Sequence, residues 1–265
     1  GSGRLLGLFA DGHLPYSLDR RADVELTAKV PTLAEMTTAA LARLGGGERG
    51  FILQVEGARV DHAAHANDLG GLLYDQIAFD DAVGVALAFA EGRDDTLVVV
   101  TSDHGNANPG LNGAGGSFNS LGGSYGDTVA CFDRAAALRR TNVWALSGLD
   151  ADSTRRQVRD RVEEATAIVL LDDEAEIVRR ALRKKHREGY RVRNAPLVAL
   201  GQVMSNYTAV GWTGVQHTTD FTELAAIGPG SEEIGGLVQN TALFGVMTRA
   251  LGLAAGAPGG YLSST

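Results

Sequence analysis

Between residues 55 and 68 the chain reads VEGARVDHAAHAND, which places three acids and two histidines in fourteen positions. Carboxylates and imidazoles are the side chains that hold divalent metal ions and move protons near neutral pH. Asp61 and His65 stand four apart. On a helix that spacing puts both side chains on one face, within reach of a single ion. His62 would be rotated about 100° away from Asp61 on such a helix, so a supporting or packing role suits it better than direct ligation. Glu56 closes the apolar run FILQVEG, and a second apolar run, TLVVVTSDHG, delivers Asp103 and His104 at its own end. Singly, each has a bland explanation, since an acid at a strand end is commonly solvated and an aspartate opening a helix commonly caps it. Jointly they point to metal: a mixture of imidazole and carboxylate suits zinc, and sites richer in oxygen suit magnesium or manganese.

These residues need elements to hold them. Three β-rich runs, LLGLF (5–9), FILQVEG (51–57) and TLVVVTSDHG (96–105), read as buried strands of a parallel sheet, whose carboxyl ends are where α/β proteins converge their loops. Helical patterns alternate with them. Pro31 followed by TLAEMTTAALARL opens a helix that Gly45 to Gly47 would stop, and 65–91 carries Leu72, Phe79, Val83, Ala86 and Ala90 on one face. The expected class is therefore α/β. The stretch GLNGAGGSFNSLGGSYG has neither period and reads as a loop, without the lysine of a phosphate-binding P-loop. From 151 to 189 the pattern is helical, with Val158, Val162, Ala165 and Val169 on one face and many charges elsewhere, as in a surface insertion. Strand character returns at TELAAIG (222–228), and LVQNTALFGVMTRALG (237–252) closes with an amphipathic helix.

Composition limits the partners. With 32 acids against 24 bases the formal charge is −8, which repels nucleic acid and anionic membranes. The one basic run, Arg179 to Arg193, holds a single aromatic residue, Tyr190, too few for stacking on successive bases, and reads as a solvated helix face. The single cysteine, Cys131, excludes an intrachain disulfide and any cysteine-based zinc finger. No stretch approaches the roughly 20 apolar residues of a membrane span. The amino end lacks the order of a signal peptide, so no address is legible. His13 and His186 have no partner in sequence and read as ordinary loop residues. Asn206-Tyr207-Thr208 matches the glycosylation triplet, which arises often by chance.

The VEG...D...H run, the helix with Phe79-Asp80 in its middle and the DTLVVVTSDHG run together resemble the latter half of alkaline phosphatases. GVQHTTDFTELAAIGPG and the QNTALFGVMTRALGL helix continue the likeness, as do LLGLFADGHLPYSLDR and PTLAEMTTAAL upstream. It covers roughly 5–110 and 211–253 in order, and fits 110–210 only loosely. The resemblance implies a three-layer α/β sheet flanked by helices, incomplete in this chain, with a core segment over 1–109, a variable loop-and-helix insertion over 110–210 and a return to the core over 211–265. It implies that Asp61, His65 and His217 hold one zinc, that Asp103 and His104 contribute to a second, and that Glu56 serves a magnesium.

The family's nucleophilic serine, in an Asp-Ser-Ala motif at a helix start, its metal-bridging aspartate and its phosphate-gripping arginine are not matched. Asp152-Ser153, inside ADSTRRQVRDRVEE, looks like a helix cap. The expectation is thus a carboxyl-terminal portion of a phosphomonoesterase that works through a phosphoserine, inactive without the missing half, which could be a separate chain. A homodimer acting on phosphate monoesters, periplasmic or secreted, is what the family implies. A phosphodiesterase or sulfatase of the same superfamily, or a non-catalytic metal-binding fragment, is the alternative.

Overall fold

The computed structural model describes residues 4–112 and 125–253. Five helices come first: α1 Ser17–Arg21, α2 Val24–Lys29, α3 Leu33–Leu44, α4 Ala58–His65 and α5 Leu69–Ala90. Strands β1 Val98–Thr101, β2 Gly105–Asn106 and β3 Pro109–Leu111 follow. Helices α6 Tyr125–Ala136, α7 Asn142–Leu146, α8 Arg155–Thr166, α9 Asp172–Leu182 and α10 Pro196–Thr208 lead to β4 Val210–Trp212, β5 His217–Thr218, β6 Leu224–Ile227 and α11 Ala242–Ala250. The class is α/β and rich in helix, with small sheets, as expected of an incomplete α/β fold. The chain divides into two compact units that interleave in sequence: residues 1–32, 57–78 and 106–218 form one, and 33–56, 79–105 and 219–265 the other.

The first unit holds the main core. Val158, Val162 and Ala165 of α8, Val178 of α9, and Leu200 and Met204 of α10 are buried together. The charged 151–189 stretch, expected as a surface insertion, thus supplies a large part of that core. Val169 does not join its face, because α8 ends at Thr166 and Val169 is half exposed. Local chemistry sets the ends. Thr154 caps α8 in a reciprocal box with Gln157, satisfying amide donors that the first turn cannot pair internally. The cap is therefore Thr154 rather than Asp152-Ser153, and Ser153 is buried and bonded to Asp150. Pro196 opens α10 at its first turn, where a missing N–H costs nothing.

The second unit is built on β1 and β6, which pair antiparallel with Val98 opposite Ile227 and Thr101 opposite Leu224. Helix α3 matches the expected helix, α11 is shorter than 237–252, and β6 falls inside TELAAIG. Two expected strands are absent. Residues 5–9 and 51–57 form no ladder, and Leu6 is 81% and Ile52 68% exposed. An apolar run records a preference for burial, but a strand also needs a neighbouring edge for its amides. The sheets formed by β1 and β3 are antiparallel, not parallel. The predicted 65–91 helix is broken at 66–68, where Asn67 takes φ 50. Of the glycine-rich loop, residues 113–124 lie outside the described residues, Gly110 and Leu111 belong to β3, and Tyr125 begins α6.

Candidate metal centre

Helix α4 presents Asp61 and His65 four residues apart, as the spacing predicts. The chain then returns from α10 through β4 and brings His217 to them at β5. The return is fixed by backbone bonds to a tight bend at Ala107: Thr213 and Gly214 both donate to its carbonyl at 3.2 Å, and its own N–H donates to Gln216 at 2.9 Å. Ala107 (φ 55) and Asn108 (φ 41) occupy the left-handed region, a local cost of about 1–2 kcal/mol per residue that surrounding contacts must offset. Ala64, Ala107, Val210 and Trp212 form a small buried cluster in the same unit.

The three side chains meet. His65 Nε2 lies 3.1 Å from His217 Nε2 and 3.4 Å from Asp61 Oδ2, and His217 Nε2 lies 3.5 Å from Asp61 Oδ1. Two donors about 2.0–2.1 Å from a tetrahedral zinc are themselves about 3.3 Å apart, so the triangle has the size that such an ion requires. The tautomer is right as well. His65 Nδ1 stands 2.6 Å from the Val215 carbonyl. Since a carbonyl can only accept, that nitrogen carries a proton, so in the neutral ring Nε2 is the nitrogen that offers its lone pair. Asp61 Oδ1 accepts from Asn106 Nδ2 at 2.6 Å, which orients the carboxylate. Side-chain exposures of 34%, 33% and 52% for His65, Asp61 and His217 leave the group open to solvent, and three protein ligands leave a fourth position of a tetrahedron free. Among the described residues this is the group of ligand-type side chains that could hold an ion.

The other predicted ligands are not in this group. Asp103 and His104 belong to the second unit, just past β1, where His104 Nε2 lies 3.3 Å from Asp103 Oδ2 and Asp103 is 84% exposed. Glu56 is exposed in the same unit. His62 does not point at the triangle. Its Nδ1 lies 3.1 Å from Arg59 Nη1, and because a guanidinium only donates, this nitrogen accepts and the ring is neutral. Burial, then the Arg59 charge and His13, depress its pKa accordingly.

Sequence reasoning missed several contributors. His13, expected to stand alone, packs edge-on against His62 with ring centroids 4.4 Å apart. The Arg59 guanidinium lies 3.6 Å over the Tyr16 ring. Asn106 follows the Asp-His pair by two positions, which is the signal that could have drawn attention to it. His186 lies in a loop, as expected, with its side chain 11% exposed and 3.4 Å from Glu188. The glycosylation triplet lies in α10, where exposed Asn206 donates to Glu174 at 2.9 Å and Thr208 is buried.

The family model for alkaline phosphatase matches residues 2–253. Alkaline phosphatase 3 of Bacillus subtilis is 30% identical over 238 residues, covering 90% of this chain and 46% of that protein. The Escherichia coli alkaline phosphatase is 40% identical over 119 residues, 39% of this chain and 25% of that one. The crystal structure of the Thermus thermophilus alkaline phosphatase superposes with a TM-score of 0.82 at 37% identity, covering 94% of this chain and 53% of that one. This chain therefore spans about half the length of the relatives that it matches. No helix among the described residues is long and apolar enough to cross a membrane. A match running almost from end to end, in a chain whose widely separated Asp61, His65 and His217 fold to one point, places it in the alkaline phosphatase family.

Proposed function

We propose that this chain is the metal-binding portion of a phosphomonoesterase, and that Asp61, His65 and His217 hold a zinc ion. The observation that carries the reading is the facing pair of imidazole nitrogens at 3.1 Å, one with its tautomer set by the Val215 carbonyl and both beside the Asp61 carboxylate. An ion held there would act as a Lewis acid toward phosphate oxygen and lower the pKa of a hydroxyl or water beside it. Asp61 lowers the net positive charge of the site. Asn106 holds one carboxylate oxygen, and the Val215 carbonyl fixes the orientation of the His65 ring.

On the family motif we assign Asp103 and His104 to a second zinc and Glu56 to a magnesium. The complete enzyme would form a phosphoserine, splitting one difficult displacement into two easier ones. Its serine and its phosphate-binding arginine would come from residues outside this chain, whether in the same polypeptide or a separate one. We read the complete enzyme as a homodimer acting on phosphate monoesters, periplasmic or secreted. The match to one half of longer relatives supports this division of labour.

Equilibrium dialysis against zinc, followed by metal analysis, tests the site. The chain should retain zinc, and His217→Ala should weaken its binding at least tenfold. Equal retention by both would remove the assignment. Aryl phosphate hydrolysis by the isolated chain should stay at background with zinc and magnesium supplied, and robust turnover would show that no missing half is needed.

A further inference from the structure

We propose that Asn67 is a positioning residue that fixes the distance between His65 and His217, an inference that rests on the metal reading above. Asn67 follows α4 by two residues, is 1% exposed and takes φ 50. Asparagine tolerates that left-handed backbone better than other residues with a side chain, apart from aspartate. Its amide is fully used. Nδ2 donates to the Ala64 carbonyl at 3.2 Å and to the Gly214 carbonyl at 2.9 Å, and Oδ1 accepts from Gln202 Nε2 at 3.0 Å.

Those partners belong to the segments that carry the metal ligands and to the helix behind them. Ala64 directly precedes His65. Gly214 directly precedes Val215, whose carbonyl accepts the hydrogen bond from His65 Nδ1–H, and His217 follows two residues later. Gln202 lies on α10. Helix α10 comes so close that a Cβ on Gly201 would sit 2.3 Å from the Asn67 carbonyl oxygen, so the amide is clamped from that side as well. One side chain thus ties the His65 helix to the His217 loop across 147 residues of sequence.

The chemistry requires an amide. Aspartate has the same shape and tolerates the same φ, but would set carboxylate oxygens against the Ala64 and Gly214 carbonyls. Glycine keeps the backbone and removes the tie. Metal sites tolerate displacements of only about 0.2 Å in ligand distance, so a loosened 214–217 loop should lose affinity before it loses fold.

Cobalt(II) titration followed by visible absorption tests this, because the intensity of the bands reports tetrahedral geometry. Asn67→Asp and Asn67→Gly should stay folded and bind cobalt about 10- to 100-fold more weakly, with reduced band intensity. Val158→Ala, in the core of the same unit, should lower the melting temperature and keep wild-type affinity. Retained affinity in either Asn67 variant overturns the inference, as does an equal loss in Val158→Ala. If the Asn67 variants do not fold, proton NMR of the wild-type chain decides. Zinc should shift the Asn67 side-chain NH2 resonances and slow their exchange, whereas unmoved resonances overturn the role. A folded wild-type chain that binds no cobalt refutes the metal reading and this inference together. Wild-type cobalt affinity in Asn67→Asp refutes this inference alone.

Discussion

Asp68 is 1% exposed yet carries a carboxyl group, and its position explains how that is tolerated. Oδ1 accepts from the Gly71 amide at 3.0 Å, at the start of α5, and Oδ2 accepts from the Asn142 amide at 2.6 Å, at the start of α7. Burial pushes its pKa up to about 7, against the pull of those two donors and with help from the nearby Asp19 and Asp75 charges. In the unfolded chain the group titrates near 4, at about 3.9. Between pH 4 and 7 the folded form therefore keeps a proton that the unfolded form has lost. The stabilisation is complete below pH 4 and is lost as pH rises through 7. Asp68→Asn should remove this component, so the melting temperature of the wild type minus that of the variant should fall from pH 4 to 7 and then level off. A difference independent of pH would show that Asp68 does not titrate there. Of the residues around the site, Asp61 and His65 were legible because helical spacing advertises them. His217 was legible only through family likeness, since nothing local ties it to a position 152 residues away. The amides of Asn67 and Asn106 were not legible, because asparagine in a loop looks the same in sequence whether it tethers a ligand or faces water.

At the scale of elements, the helices followed their periodicity closely and the strands did not. A helix satisfies its amides within itself, so α3 and α11 could be found from local pattern, while the helical stretch 151–189 divides into α8 and α9 with its cap at Thr154. A strand depends on a partner elsewhere, and neither LLGLF nor FILQVEG finds one here. The break between α4 and α5 was hidden because the apolar period continues across it, while Asn67 and Asp68 supply a left-handed turn and a new amino-terminal cap. The α8 cap allows a direct check. Thr154→Ala leaves the Gln157 amide without its acceptor and should cost about 0.5–2 kcal/mol, measured by urea denaturation with an unchanged m-value. Leu200→Gly would mix cavity and helix effects, so Leu200→Ala is the cleaner core probe, with an expected cost of about 2–5 kcal/mol.

For the molecule as a whole, the two units are unequally finished. The first has a contiguous buried cluster drawn from α1 and from α7 to α10. In the second, few apolar side chains are buried, Leu41, Ala82, Ala90, Ala242 and Val246 among them, while Phe221 and Phe244 are 85% and 66% exposed. Segments with little apolar burial open at low free energy. Amide hydrogen exchange should therefore be slowest in α8 and α10 and markedly faster in β1, β6 and α11, and uniform protection across the chain would contradict the contrast. The His65–His217 approach has a further thermodynamic consequence. The pair exists only in molecules that have closed the 152-residue span between them, so an ion held by both recognises the native state and not the random coil. By mass action, each tenfold rise of free ion above its dissociation constant then adds about 1.4 kcal/mol to the work of unfolding, and the tolerance of this chain to heat becomes a property of the surrounding solution.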